Sequence, residues 1–142
     1  MTKKDEEALK EKYFEFQMLE AQMKQLEKQL MAFEQQQLEV SSTINALSEL
    51  SKVKENTDIL VPVASGIFVQ AILKSTGSFM MNVGGDVVVE KSPKEASGLL
   101  EKQASEIEKA KTHIIEHMTK MQEKAVEIEG ELISFVQEQK NV

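Results

Sequence analysis

Apolar side chains in the first third of the chain recur at alternating intervals of three and four. Leu9, Phe16, Leu19, Met23, Leu26, Leu30, Phe33, Val40, Ile44 and Leu47 fill ten of the thirteen sites of one 3-4 repeat, and Lys12, Gln37 and Ser51 fill the others. A 3.5-residue average kept up for six heptads without Gly or Pro predicts a coiled-coil helix rather than an ordinary surface helix. Glu20, Glu27 and Glu34 flank the seam at one heptad position.

The last third carries a second seam. Ser92, Pro93 and Glu95 supply a cap, a first-turn proline and a capping-box carboxylate, which together predict a helix start. From Leu100 every seventh residue is apolar (Ile107, Ile114, Met121, Ile128, Phe135, Val142), and the companion positions are Ala104, Lys111, Met118, Ala125, Leu132 and Gln139. Two helices of roughly 45 residues each would run about 65 to 70 Å, so their seams must face each other or partners. An antiparallel pairing of residue i with residue 151 minus i gives nine fully apolar layers of thirteen, among them Phe16/Phe135, Leu19/Leu132, Leu30/Met121 and Ile44/Ile107. It also sets Gln37 and Lys111 in adjacent layers, where they can hydrogen-bond, whereas a shift of one heptad would set Lys111 against Phe33.

Between the helical blocks the pattern changes period. Residues 57 to 91 hold five charged side chains, a cluster of glycines and β-branched runs that read as four short strands, 59–63, 67–74, 79–83 and 87–91. Ala64 to Gly66 and Gly84-Gly85-Asp86 are the expected hairpin turns, and Pro62, lacking an N–H, belongs at an edge or a bulge. Both faces are apolar: Ile67, Val69, Ala71 and Leu73 point one way, Phe68 and Ile72 the other. Hairpins this small cannot bury such surface alone, so Ile59, Val61, Val63, Ile67, Phe68, Val69, Ile72, Leu73, Phe79, Met81, Val83, Val87 and Val89 are the expected oligomerisation residues. The chain reads as one unit of class α+β: an N-terminal coiled-coil helix in 1–56, two β-hairpins in 57–91 and a C-terminal coiled-coil helix in 92–142.

Composition narrows the function. With 24 acidic against 17 basic residues, every basic one a lysine, the chain has neither a positive footprint for nucleic acid nor the guanidinium fork that reads phosphate and guanine. The absence of cysteine removes disulfides and thiolate chemistry and fits a reducing cytoplasm. The N-terminal MTKKDEEALKEK is no signal or transit peptide, and no apolar run reaches membrane-span length, so a cytoplasmic location with no membrane partner is expected.

The first helix, then DILVPVASGIFVQAILK at 58–74, then VGGDVVVEKSPKEA at 83–96 and the second helix, resembles the alpha class of the prefoldin family. The specific parts are the LVPV run, the Ala64-Ser65-Gly66 turn and the passage from VGGD to VEK, and the short termini resemble archaeal members. The resemblance implies a hexamer of two alpha and four beta subunits, whose hairpins join in a β-barrel from which coiled coils hang. It also implies a co-chaperone that captures unfolded polypeptides at the coil tips without nucleotide and delivers them to a group II chaperonin. A coiled-coil scaffold or tether with one dedicated partner is the alternative.

Tip capture requires apolar side chains that the seam does not use. Tyr13, Phe14, Met18, Ile133 and Val136 meet that condition, and Leu9, Phe16 and Phe135 join them because a polar Lys12/Gln139 layer would let the last turn fray. The same residues also fit the ordinary scatter of exposed apolar side chains. His113, Glu116 and His117 spell a zinc-protease spacing, but Ile114 in the seam leaves the histidines flanking a coil with no enclosed pocket. Gly84-Gly85 is followed by a strand rather than a helix and so reads as a hairpin turn, not a phosphate loop. Neither catalysis nor a cofactor or metal is expected.

Overall fold

The computed structural model, which describes residues 2–140, has two helices and four strands in the chain order α1 (Lys3–Leu50), β1 (Asp58–Ala64), β2 (Ile67–Ile72), β3 (Phe79–Asn82), β4 (Val88–Lys91) and α2 (Pro93–Lys140). Each helix start is closed by its own sequence. At α2 the Ser92 hydroxyl accepts the Glu95 N–H at 3.1 Å and donates to the Glu95 carboxylate, while the Ala96 N–H bonds the Ser92 carbonyl. At α1 Thr2 and Asp5 form a reciprocal pair that the seam pattern did not disclose: the Asp5 N–H bonds the Thr2 hydroxyl and the Thr2 N–H bonds the Asp5 carboxylate, each at 3.3 Å. The C-terminal end of α1 tightens through Lys52 N–H to Glu49 C=O and Val53 N–H to Leu50 C=O.

The chain divides into two compact units, one of residues 1–35 with 108–142 and one of residues 36–107. In the first, buried Leu19, Ala125 and Ile128 form a core cluster, with half-buried Phe16, Met121 and Leu132 packed against it. Apart from Lys12, the seam positions of α1 from Leu9 to Phe33 are buried or half-buried, as are those of α2 from Lys111 to Phe135. Val142, the last expected seam position, lies outside the described residues.

The pairing differs from the expected one by a heptad. Lys12 pairs with Glu131 and Glu15 with Lys124, so the numbers of facing residues add to 143 and 139 rather than 151. The contacts of Leu19 with Ala125 and Ile128 agree with that register. Bulk and charge distinguish the two pairings. The expected one stacks Phe16 on Phe135, two aromatic rings in one layer, and sets Glu131 beside Glu20. The observed one parts those rings and matches opposite charges along the flanks. The polar Lys12/Gln139 layer does not form, because Lys12 is exposed and bonded to Glu131. Lys111 falls at the level of Phe33 and is half-buried, as a charged group on a long apolar stem can be.

The second unit contains two separate two-stranded antiparallel sheets. In the first, Asp58 pairs with Ile72 and Val61 with Val69, and the register slips between Pro62 and Ala64, so Val63 is the extra residue of a bulge beside the proline. β2 stops at Ile72, two residues short of expectation, although Leu73 still bonds backbone groups of Thr57 and Asn56 at 2.9 and 2.7 Å. In the second, Phe79 pairs with Lys91 and Asn82 with Val88, and Gly85 and Asp86 form the turn with φ of 56° and 61°. Positive φ at both central residues is a type I′ turn, closed by the Val87 N–H on the Gly84 carbonyl. The Asn82 side chain caps the Gly84 N–H at 2.9 Å.

Candidate functional site

Two apolar surfaces stand out, one in each unit. The first is a groove between the N-terminal turns of α1 and the C-terminal turns of α2. Leu9, Tyr13, Leu132, Ile133 and Val136 line a space of about 660 Å³, with Lys10, Glu129 and Gln137 as its polar lining residues. The groove follows from helix geometry. Leu9 and Tyr13 lie one turn apart on α1, as Leu132 and Val136 do on α2, so each pair forms a ridge on its own helix.

Of the expected client-contact residues, the groove gathers Leu9, Tyr13, Ile133 and Val136. Phe14 (64% exposed) and Met18 are also open to solvent but do not line it. Phe16 packs on the core cluster, and Phe135 is half-buried. Leu132 was assigned to the seam alone in the sequence, yet it serves both seam and groove. Further exposed apolar residues, Met31 and Leu38 on α1 and Ile115 and Val126 on α2, stand outside the heptad seam and lie away from the groove; being apolar where the heptad asks for polar residues, they carry the same signal as Tyr13.

Just below the groove, towards the core cluster, charge crosses between the helices. The Lys12 ammonium lies 2.9 Å from Glu131 and the Lys124 ammonium 3.4 Å from Glu15, all four side chains being roughly half-exposed. The hydrogen bond to Glu131, reinforced by that carboxylate's charge, holds the Lys12 pKa above its ordinary value of 10.5.

The second surface is the pair of hairpins. Val61, Val63, Ile67, Phe68 (57% exposed), Val69, Ile72, Val83 and Val87 are exposed, and Ile59, Leu73, Phe79, Met81 and Val89 are half-buried. Leu60, Met80 and Val88, not among the expected assembly residues, are exposed as well. Apolar side chains are thus open to solvent on both faces of β2, Ile67 and Val69 on one and Phe68 and Ile72 on the other.

His113 and His117 are exposed beside a shallow cleft with Leu26, Gln29, Ile114, Glu116 and Lys120. Among the described residues no three His, Asp or Glu side chains converge to hold a metal ion. No helix among them is long and apolar enough to cross a membrane.

Helix, double hairpin and helix is also the order in a known group of proteins, and the match is direct. The family model described as "Prefoldin subunit" aligns with residues 19–138, which spans both hairpins and most of each helix. The chain belongs to the prefoldin family. Among curated relatives, prefoldin subunit alpha of Thermofilum pendens is 33% identical over 66% of this chain and 73% of its own length. Prefoldin subunit alpha of Methanoculleus marisnigri is 31% identical over 78% and 74%. Among solved structures, a chain of the filamentous prefoldin of Methanocaldococcus jannaschii, seen by cryo-EM, superposes with a TM-score of 0.58 at 18% identity. That match covers 88% of this chain and 98% of the other, and it shows the shared prefoldin fold. Prefoldins are chaperones, and a chaperone role is what membership supports for this chain.

Proposed function

We propose that this chain is the alpha subunit of a cytoplasmic hexameric prefoldin, two alpha with four beta, that holds unfolded polypeptides at its coil tips. It does so without nucleotide and passes them to a group II chaperonin. The observation that carries the reading is the apolar groove at the tip, which is open to solvent and lined by Leu9, Tyr13, Ile133 and Val136. Unfolded chains expose apolar segments, and burying each square ångström of such surface is worth about 25 cal/mol. An open groove captures without enclosing, as a protein that must release its cargo requires.

Assembly rests on the hairpins. Their exposed valines, isoleucines and Phe68 leave sheet faces and edges that the chain itself does not cover. Pairing with hairpins of other subunits in a β-barrel would remove both.

The test is suppression of aggregation of two unrelated denatured proteins by the chain assembled with a beta-type subunit. Full-length chain is compared with a version trimmed to residues 17–131, which lacks most of the groove lining but keeps Leu19, Ala125 and Ile128. Protection of both substrates by the full-length assembly, and its loss in an intact trimmed hexamer, is the expected result. Protection by neither assembly would instead favour a scaffold with one dedicated partner.

A further inference from the structure

Resting on the tip-capture reading, we infer that the groove takes its occupant as a short amphipathic helix, not as an extended strand. A bound segment must satisfy its own backbone N–H and C=O groups, because unpaired buried ones cost about 1–3 kcal/mol each. The groove walls are the side chains of two helices, and the residues along them are chiefly Leu, Ile, Val and the Tyr13 ring. Lys10, Glu129 and Gln137 are the polar side chains available there. An extended segment laid against such walls would turn half its backbone groups toward apolar surface with no partner. A helix arrives with those groups already bonded to one another.

Spacing leads to the same conclusion. Leu9 and Tyr13 are separated by one turn, and so are Leu132 and Val136, with Ile133 between them. Ridges of that pitch interdigitate with apolar side chains repeating at i, i+3 or i+4, and i+7 on a third helix. From Glu129 to Gln137 the α2 wall covers about 12 Å at 1.5 Å per residue, enough for two turns of an occupant.

Charge sets the occupant's chemistry. Lys10 stands on the α1 wall and Glu129 on the α2 wall. The preferred segment is therefore an amphipathic helix with an acidic residue on the flank that meets Lys10 and a basic one on the flank that meets Glu129.

The probes are three fluorescent twelve-residue peptides of equal net charge and equal number of apolar residues, measured by anisotropy against the full-length chain assembled with a beta-type subunit. One has apolar residues at helical spacing and is locked by a side-chain staple, one is its unstapled form, and one alternates apolar and polar residues and carries a central proline. The stapled peptide is expected to bind about tenfold more tightly than the alternating one, with the unstapled form between them. Lys10→Glu and Glu129→Lys together should reverse the preference between peptides with opposite flank charges, while circular dichroism shows the coil intact. If the full-length assembly holds denatured proteins but the alternating peptide binds as well as the stapled one, the helical selection is overturned and tip capture stands. If neither peptides nor denatured proteins bind, both fail.

Discussion

Lys12 and Glu131 meet at 2.9 Å across the two helices, and that contact identifies the heptad register in which the tip is built. In the alternative frame Lys12 would lie level with Gln139 and Glu131 with Glu20.

Cysteine pairs read the register directly. Leu19→Cys with Ala125→Cys should oxidise readily, because these residues pack together, whereas Leu19→Cys with Leu132→Cys should stay largely reduced. Non-reducing electrophoresis after mild oxidation distinguishes the two, and the reverse outcome would restore the 151-minus-i pairing.

The Lys12 contact also carries a pH signature. Because Glu131 raises the folded-state pKa of Lys12, the ion pair contributes fully below the unfolded value near 10.5 and is lost as pH rises through the folded value. The stability difference between the native chain and Lys12→Gln, followed by chemical denaturation, should hold steady from pH 8 to 10 and close above it. A difference that persists unchanged at pH 12 would show that Lys12 acts through packing alone.

Ile128 is the most enclosed side chain of the tip cluster, with 3% of its surface exposed. Ile128→Ala should cost about 2–3 kcal/mol, at the low end of core truncations because the thin coil can close part of the gap. Val126→Ala, on the exposed face of the same helix, should change stability by less than about 0.5 kcal/mol. Equal losses in urea melts of the two variants would mean that the cluster is not where the tip is held.

At the other end of α2, Ser92→Ala removes the acceptor of the Glu95 N–H and should cost about 1 kcal/mol. In the β3–β4 turn, Asp86→Gly should be tolerated, while Asp86→Val, forced into positive φ, should cost roughly 1–2 kcal/mol. Amide exchange at Val87, whose N–H closes that turn, reports the loss locally. Protection there that survives Asp86→Val would rule out a strained turn.

The seams, the cap at Ser92, the bulge at Pro62 and the Gly85-Asp86 turn were legible because each depends on side chains a few positions apart. The heptad register was not. It depends on which layers match in size and which flanking charges meet, and a count of apolar layers ignores both the bulk of Phe16 over Phe135 and the pairing of Glu15 with Lys124. Leu132 was missed as a groove residue for a related reason. The heptad assigns it to the seam, and only the placement of Leu9 and Tyr13 opposite gives one side chain two neighbours. Tyr13, Ile133 and Val136 were found because they are apolar where the heptad asks for polar residues.

No large side chain among the described residues is completely enclosed; in the tip cluster even Ile128 keeps a sliver of contact with solvent. Hydrostatic pressure unfolds proteins largely by collapsing sealed internal voids, and a stretch of coil whose every layer opens at its edges encloses little such volume. The tip should therefore resist compression far better than a globular domain of equal thermal stability, a property set by its thinness rather than by the strength of any bond within it.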